Sequence, residues 1–322
     1  MGLNTKYMGF NLRSPIIVAS SGLTDNVEKV VKSYECGAGA VVLKSLFEEQ
    51  IVLNSGAYHY HQQDDYSRSL DFSKQLSDDK IIDSYFNLIQ ESKNEVNIPV
   101  IASINCISDD VWYYFVSKIE EAGADGIELN ISISPFAVYK SLDTMLDNYI
   151  HIIEKVISNI SLPVSVKISP FLPNLLMLIK RIEEAGADSV VMFNRHFAPD
   201  IDTDKIEIQA YSSLSSSSEI ANPLRWISLM SPHTKLSIAG ATGIHDYLTI
   251  VKFIMAGASA VQICSAVYLK GYEIIQSLND EISRWMNEKN YSSINDFKGL
   301  ITKKVDYNAD FERIQYITRN YS

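Results

Sequence analysis

The chain has 322 residues, of which 46% are hydrophobic, and it carries a formal net charge of −11. This length is too great for most single-core folds but normal for one α/β barrel domain. So acidic a surface argues against nucleic acid or a membrane as a partner, because both present negative charge.

The cysteines and the first residues indicate a cytoplasmic protein. Cys36, Cys106 and Cys264 lie far apart and form no CxxC pair, which predicts a reducing compartment and no metal site. The opening MGLNTKYMGFNLRSPIIVASS contains no basic segment followed by an apolar one, so we expect no secretion leader. No apolar run approaches the ~18 residues that a membrane-spanning helix needs.

A short phrase that recurs four times organises the chain. It reads CGAGAVV from Cys36, AGADGIE from Ala122, AGADSVV from Ala185 and AGASAVQ from Ala256. Each copy follows a stretch with apolar residues at helical spacing and opens a short apolar run. The phrase therefore predicts a helix that ends at glycine, a tight turn and a buried strand.

Further apolar runs between the four copies raise the number of predicted strands to eight. These strands lie near residues 15–20, 41–45, 99–104, 126–130, 163–168, 189–193, 236–240 and 260–264. Helical patterns separate most successive strands, so the strands should be parallel. Two copies of the phrase would also fit a doubly wound sheet, but four copies at alternate strands favour a closed ring. We predict a single (β/α)8 TIM barrel over residues 1–322, with a long polar excursion after strand 2.

Lysine and asparagine follow several of the predicted strands, at the end where (β/α)8 barrels place their active sites. These residues are Lys44, Asn105, Asn130, Lys167 and Asn194. Either lysine alone would also fit a side chain that reaches from the barrel rim into solvent. Asparagine offers a donor and an acceptor to the amide-like edge of a flavin or pyrimidine, and lysine supplies positive charge beside a ring that becomes anionic. The glycine turn at residues 240–243 is typical of a phosphate site, although glycine also serves any tight turn.

With these residues identified, the chain resembles the dihydroorotate dehydrogenase family from Met8 to about Leu300. The shared segments include SPIIVASSG, GAGAVVLKS, GADGIELNIS, PVSVKISP and IAGATGI. The resemblance implies a flavin-dependent dehydrogenase acting on CH–CH groups in pyrimidine biosynthesis, with a small-molecule substrate. It implies FMN contacts from Ala19, Ser20, Lys44, Ser45, Asn130 and Lys167, phosphate contacts from Thr242, Gly243, Cys264 and Ser265, and substrate contacts from Lys44, Asn130 and Asn194.

The resemblance also implies the chemistry and the assembly. A loop residue would remove a proton from dihydroorotate while Lys167 stabilises the reduced ring. Related barrels commonly form dimers, so a homodimer is the assembly that the family suggests. The segment before strand 1 is too short for the membrane-binding extension of quinone-linked relatives, which favours a soluble electron acceptor or a partner subunit.

The loop that should hold the catalytic base departs from the family pattern N-[LIV]-S-[CS]-P-N. The chain reads NISISPF from Asn130, so an ungapped match puts Ile133 at the base position and a one-residue insertion puts Ser134 there. The alternation of apolar residues past Asn130 would place Ser134 on the ligand side, so Ser134 is the candidate base, and activity on dihydroorotate is expected to be slow or absent. Ile133 at that place would instead indicate a catalytically impaired flavin-binding homologue with a regulatory or assembly role. A barrel that binds another phosphorylated metabolite without flavin is a third reading.

Two further departures concern the excursion and a cysteine. The excursion after strand 2 contains His59 and His61, which could serve as replacement acid–base groups or belong to a solvated loop. Cys264 stands where the family has glycine, and we expect its thiol to be buried and inert.

Overall fold

The computed structural model describes residues 2–48, 50, 80–106, 112–131, 141–196, 199–210 and 213–304. Eight parallel strands form a closed ring. They are β3 (Ile16–Val18), β4 (Ala40–Val42), β6 (Val100–Cys106), β7 (Gly126–Ile131), β8 (Val164–Ile168), β9 (Ser189–Met192), β12 (Ser237–Ala241) and β13 (Ala260–Ile263). Each pairs with its neighbours in chain order, and pairing of β4 with β6 and of β13 with β3 closes the barrel. The predicted (β/α)8 barrel is confirmed.

Helices follow the strands and cover the outside of the ring. They are α1 (Val27–Glu35), α2 (Lys80–Glu95), α3 (Trp112–Glu121), α4 (Leu142–Ser158), α5 (Leu175–Glu184), α6 (Ala221–Met230), α7 (Tyr247–Met255), α8 (Ser265–Lys270), α9 (Ile274–Glu288) and α10 (Leu300–Lys304). Asn26 and Asp246 cap α1 and α7 by accepting hydrogen bonds from backbone N–H groups three residues on, which satisfies donors that the first turn leaves free.

The repeated phrase forms the predicted helix-to-strand turn at all four places. Gly37, Gly123, Gly186 and Gly257 each have φ between +91° and +115°, two residues after the ends of α1, α3, α5 and α7. Glycine adopts this backbone region without the strain that a Cβ would bring. The chain can therefore reverse tightly and enter the next barrel strand within three residues.

Two antiparallel hairpins that the sequence did not predict lie outside the barrel ring. The first joins β1 (Thr5–Tyr7) and β2 (Phe10–Leu12), and the second joins β10 (Pro199–Asp202) and β11 (Glu207–Ala210). The first hairpin places Tyr7 in the barrel interior, where its hydroxyl lies 3.1 Å from Ser165 Oγ and 3.3 Å from Ser189 Oγ. A short strand, β5 (Leu46–Phe47), extends the sheet beside β6.

The core has two layers, as expected for a barrel with an outer ring of helices. Alternate strand residues point inward, and a small inner cluster includes Tyr7, Ile17, Val42 and Ile101. The other strand residues face the helices and join a much larger cluster that runs around the barrel. Side chains fill the barrel interior, so the open end at the carboxyl termini of the strands is the place where polar residues meet.

Candidate functional site

The carboxyl ends of the barrel strands surround a cavity of about 230 Å³. Because parallel strands all end at the same edge, residues far apart in the chain meet there. The residues that line this mouth cavity are Ser20, Ser21, Lys44, Ser45, Phe47, Glu128, Asn130, Lys167 and Asn194. Six of them belong to the predicted flavin and substrate set, so those six positions meet at one cavity; their roles in binding stay predictions.

Lys167 is held at the base of the mouth cavity by Glu128 of the neighbouring strand β7 and by Gln262 of β13, three strands away in the ring. Its Nζ donates to Gln262 Oε1 at 3.0 Å and lies 3.6 Å from Glu128 Oε1. Glu128 is buried, with 1% of its side chain exposed, and its Oε2 accepts a hydrogen bond from Gln262 Nε2. The ammonium is therefore a fixed charge rather than one on a freely moving side chain.

The two predicted lysines differ in their surroundings. Only 11% of the Lys167 side chain is exposed, whereas Lys44 is exposed at the opposite side of the mouth. A buried ammonium needs a partner because desolvation disfavours its charge, and Glu128 is that partner. Lys44 needs no such partner, so the alternative of a rim lysine that reaches into solvent fits Lys44 and does not fit Lys167.

The two asparagines form a direct pair across the mouth. Asn194 Nδ2 donates to Asn130 Oδ1 at 3.1 Å, and both side chains are partly buried. Asn130 pairs with Lys167 across β7 and β8, so the amide pair lies beside the ammonium. Each amide keeps a further donor or acceptor for a ligand, since one hydrogen bond uses only part of its capacity.

Serine hydroxyls line another side of the mouth. Ser20 Oγ lies 3.0 Å from Ser45 Oγ, which in turn lies 2.8 Å from the buried Ser103 Oγ. Ala19, the residue before Ser20, is buried and its N–H donates to Ile263 O at 2.9 Å. This row offers hydroxyl donors and acceptors to a planar polar ring in the cavity.

The predicted phosphate residues also come together, around a serine that the sequence analysis did not single out. Gly243 N donates to Ser215 Oγ at 3.3 Å, and Ser215 N donates to Ser265 Oγ at 2.9 Å. Thr242 and Gly243, which follow β12, both have positive φ, of +78° and +76°. His245 Nε2 lies 3.3 Å from Ser215 Oγ. Such a set of N–H, hydroxyl and imidazole groups suits an anion.

The space at Gly243 accounts for glycine at this turn. A Cβ there would lie 2.7 Å from both the backbone N and the Cγ2 of Ile220, closer than real Cβ contacts allow. Glycine therefore lets the turn approach the segment at residues 215–220, so that Ser215 lies next to Gly243.

Cys264 is half-buried rather than buried as expected. It lies between the end of β13 and the start of α8. Burial raises the pKa of its thiol, against the opposing effects of a hydrogen bond with Ser21 and the positive charge of Lys167. A raised pKa leaves little thiolate at neutral pH, which agrees with the expectation of an inert thiol.

Several predicted features lie outside the described residues. They are the candidate base Ser134, the alternative Ile133, and His59 and His61 in the excursion. Across the described ranges, no group of three or more His, Cys, Asp or Glu side chains is placed to hold a metal ion. Nor does any helix in that part of the chain have the length and apolar character to cross a membrane.

Glu128 and Gln262 are the residues of this site that the sequence analysis missed as partners. Glu128 precedes Asn130 by two residues on β7, and Gln262 on β13 precedes Cys264, the residue after that strand, by two, so the strand alternation relates each of them to a predicted residue. This two-residue spacing along the strands was the only sequence signal that could have identified Glu128 and Gln262. Which of these side chains meet inside the barrel depends on the strand register, which no local pattern contains.

The chain is similar to known proteins over most of its length. Residues 2–286 match the family model described as dihydroorotate dehydrogenase. The catalytic subunit of dihydroorotate dehydrogenase B (NAD(+)) from Thermoplasma acidophilum is 30% identical, over 92% of this chain and 98% of the relative. The corresponding subunit from Pyrococcus abyssi is 26% identical, over 94% and 99%. Subunit PreA of the NAD-dependent dihydropyrimidine dehydrogenase of Escherichia coli is 23% identical, over 97% and 79%.

Proposed function

The chain belongs to the dihydroorotate dehydrogenase family, and on that premise we propose that it oxidises dihydroorotate or a related dihydropyrimidine with FMN at the barrel mouth. Members of this family are FMN-dependent oxidoreductases that act on CH–CH bonds. The observation that carries the proposal is the fixed ammonium of Lys167 beside the Asn130–Asn194 amide pair. This arrangement offers positive charge and paired amide groups to one planar ligand.

The residues of the mouth fit FMN at both of its ends. The ammonium, the two amides and the hydroxyl row of Ser20 and Ser45 would hold the ring. The backbone at Gly243 and the hydroxyl of Ser265 would hold the phosphate, at a turn where a Cβ on Gly243 would collide with Ile220. When bound, FMN supplies the two-electron acceptor for the reaction.

The chain's own residues then have distinct tasks. Oxidation of a CH–CH bond removes one hydrogen as a proton and the other together with two electrons, and leaves a C=C bond. Asn130 and Asn194 orient the cyclic amide of the substrate through their remaining donors and acceptors. Lys167 stabilises negative charge that develops on the ring beside it. Ser134, which lies outside the described residues, is proposed as the proton acceptor from its place in the sequence.

We propose that a second subunit passes the electrons on to NAD(+). The relatives above are named as catalytic subunits of NAD(+)-linked enzymes, which implies that other subunits complete them. The sequence of this chain contains no GxGxxG fingerprint for a dinucleotide, so a separate subunit would supply that site. A homodimer of this chain and a cytoplasmic location stay predictions from the sequence.

Anaerobic reduction of the bound flavin tests the proposed function. The purified protein should be yellow, with one FMN per chain, and its colour should bleach when dihydroorotate or one of a panel of dihydropyrimidines is added. The panel should include dihydrouracil and dihydrothymine, which lack the carboxylate of dihydroorotate and so report on substrate class. A yellow protein that no dihydropyrimidine bleaches would contradict the proposed reaction and favour a flavin-binding role without catalysis.

A lysine pair provides the matched variants. Lys167→Ala should lower FMN occupancy or slow bleaching sharply, because the ring loses the charge that stabilises its reduced form. Lys252→Ala makes the same change at an exposed site on the outer helix α7 and should behave like the parent. Equal FMN occupancy and equal bleaching rates in the two variants would show that Lys167 has no role in flavin binding or reduction.

A further inference from the structure

Gln262 bridges Lys167 and Glu128 in a way that fixes its own orientation. Its Oε1 accepts from the Lys167 ammonium at 3.0 Å and its Nε2 donates to the Glu128 carboxylate. The reverse orientation would face an NH₂ group toward an ammonium and an oxygen toward a carboxylate, and both contacts would be repulsive. The amide therefore acts as a spacer between two opposite charges.

The spacer keeps the ammonium and the carboxylate from direct contact. Lys167 Nζ lies 3.6 Å from Glu128 Oε1, and that oxygen is buried without a hydrogen-bond partner. A bidentate or direct ion pair would bring N and O to about 2.7–2.9 Å. The separation leaves the other donors of Lys167 directed away from Glu128, on the side of the mouth cavity that both residues line.

The field of Glu128 reaches well beyond Lys167. After burial itself, the Glu128 charge is among the causes that raise the pKa of Tyr7 beneath the mouth, and it also contributes at Tyr85. The charge of Lys167 in turn opposes the rise in the pKa of Cys264. The 3.6 Å contact of Lys167 with Glu128, both of which line the cavity, places two interacting charges of opposite sign at its base.

We propose that Glu128 and Gln262 are positioning residues that set how much of the Lys167 charge acts on a flavin in the mouth cavity. This inference rests on the proposed function above, since it concerns the same site. Glu128 offsets part of the positive charge, and Gln262 keeps Lys167 from withdrawing onto Glu128. Glu128 and Gln262 would together set the reduction potential of the bound flavin.

Substitutions of Glu128 and Gln262 should shift the reduction potential of the bound flavin in opposite directions, which a merely structural role would not produce. Glu128→Gln keeps the side-chain shape but removes the negative charge, so the reduced, anionic ring is better stabilised and the potential rises. Gln262→Leu removes the spacer without changing charge, so the ammonium moves onto the carboxylate, less of its charge reaches the ring and the potential falls. In the Glu128→Gln background, Gln262→Leu should shift the potential little, because no carboxylate remains to attract the ammonium.

The test is the midpoint potential of FMN in the holoprotein, measured by anaerobic titration with a chemical reductant. We expect Glu128→Gln to raise the equilibrium constant for two-electron reduction about tenfold, which corresponds to about 30 mV, and Gln262→Leu to lower it. Glu120→Gln is the matched control, because its carboxylate accepts from Ser161 N at the opposite end of the barrel. FMN dissociation constants are measured on the same samples.

The possible results separate this inference from the proposed function. Shifts of the same sign in both variants, or shifts no larger than in Glu120→Gln, overturn the inference. If Glu128→Gln does not fold, Gln262→Leu decides alone, since an unchanged or raised potential contradicts the spacer role. A parent that binds FMN with the predicted shifts, but is reduced by no dihydropyrimidine, supports the inference while the substrate proposal fails. A parent that binds no FMN overturns both.

Discussion

Lys167→Ala should destabilise the folded barrel because it leaves the Glu128 carboxylate buried without its counter-charge. Glu128 is 1% exposed and lies 3.6 Å from the Lys167 ammonium. In the variant, the only described hydrogen bond to this carboxylate is the one from Gln262 Nε2. Loss of one partner of a buried ion pair typically costs about 3–5 kcal/mol, most of it from the charge left behind.

The structure points to the lower end of that range. The ammonium and the carboxylate are separated by more than a hydrogen-bond distance, and the Lys167 side chain is 11% exposed at an open cavity that water can enter. We therefore expect the free energy of unfolding to fall by about 3 kcal/mol. For a chain of 322 residues, that corresponds to a fall in Tm of roughly 4–5 °C.

Thermal unfolding of the flavin-free protein at neutral pH, followed by circular dichroism, measures this cost without any contribution from bound ligand. The double variant Lys167→Ala/Glu128→Gln should recover most of the lost stability, because the uncompensated charge is gone. Lys252→Ala, at an exposed position of α7, should leave Tm unchanged. The reasoning would be refuted by a Lys167→Ala variant as stable as the parent, or by a double variant no more stable than the single one.

Three further predictions concern the remaining parts of the site. Asn194→Ala removes the donor to Asn130 Oδ1 and about 1 kcal/mol of polar contact. Steady-state kinetics at full FMN occupancy should therefore show a several-fold rise in KM for the dihydropyrimidine substrate. An unchanged KM would contradict the role of the asparagine pair. Gly243→Ala forces a Cβ to within 2.7 Å of Ile220 at φ +76°, so FMN content after purification should fall at least tenfold, and full occupancy would contradict the phosphate assignment. Burial raises the pKa of the Cys264 thiol, so its thiolate fraction at pH 8 is smaller than that of a free cysteine. Alkylation of Cys264, followed by mass spectrometry, should be slower than alkylation of a cysteine in an unstructured peptide and should accelerate as pH rises. Equal rates would contradict the raised pKa of Cys264.

The barrel was predictable because its signals are local. The four glycine phrases mark helix-to-strand turns by a backbone requirement at a single residue, as at Gly37 and Gly257, and buried parallel strands appear as short apolar runs. Each of the eight predicted strands lies within a few residues of an observed one. The hairpins at residues 5–12 and 199–210 were missed because their strands have only three or four residues, too few for a period to emerge.

The site was predictable where a residue's place at a strand end decides its position. Lys44, Asn130, Lys167 and Asn194 were found in this way and do line one cavity. The links between strands were not predictable, since the contact of Gln262 with both Lys167 and Glu128 requires the register and closure of the whole ring. Ser215 was missed for a related reason, because the approach of its loop to Gly243 follows from tertiary packing rather than from local sequence.

The structure of the FMN complex tests the central claim most directly. Crystals of the purified holoprotein should show the ring in the mouth cavity, with Lys167 Nζ within hydrogen-bond distance of it, at about 3 Å, and the phosphate at the Gly243 turn. Lys167 should keep its contact with Gln262 in that complex. A flavin bound elsewhere on the chain, or in the mouth but out of reach of the Lys167 ammonium, would contradict the account.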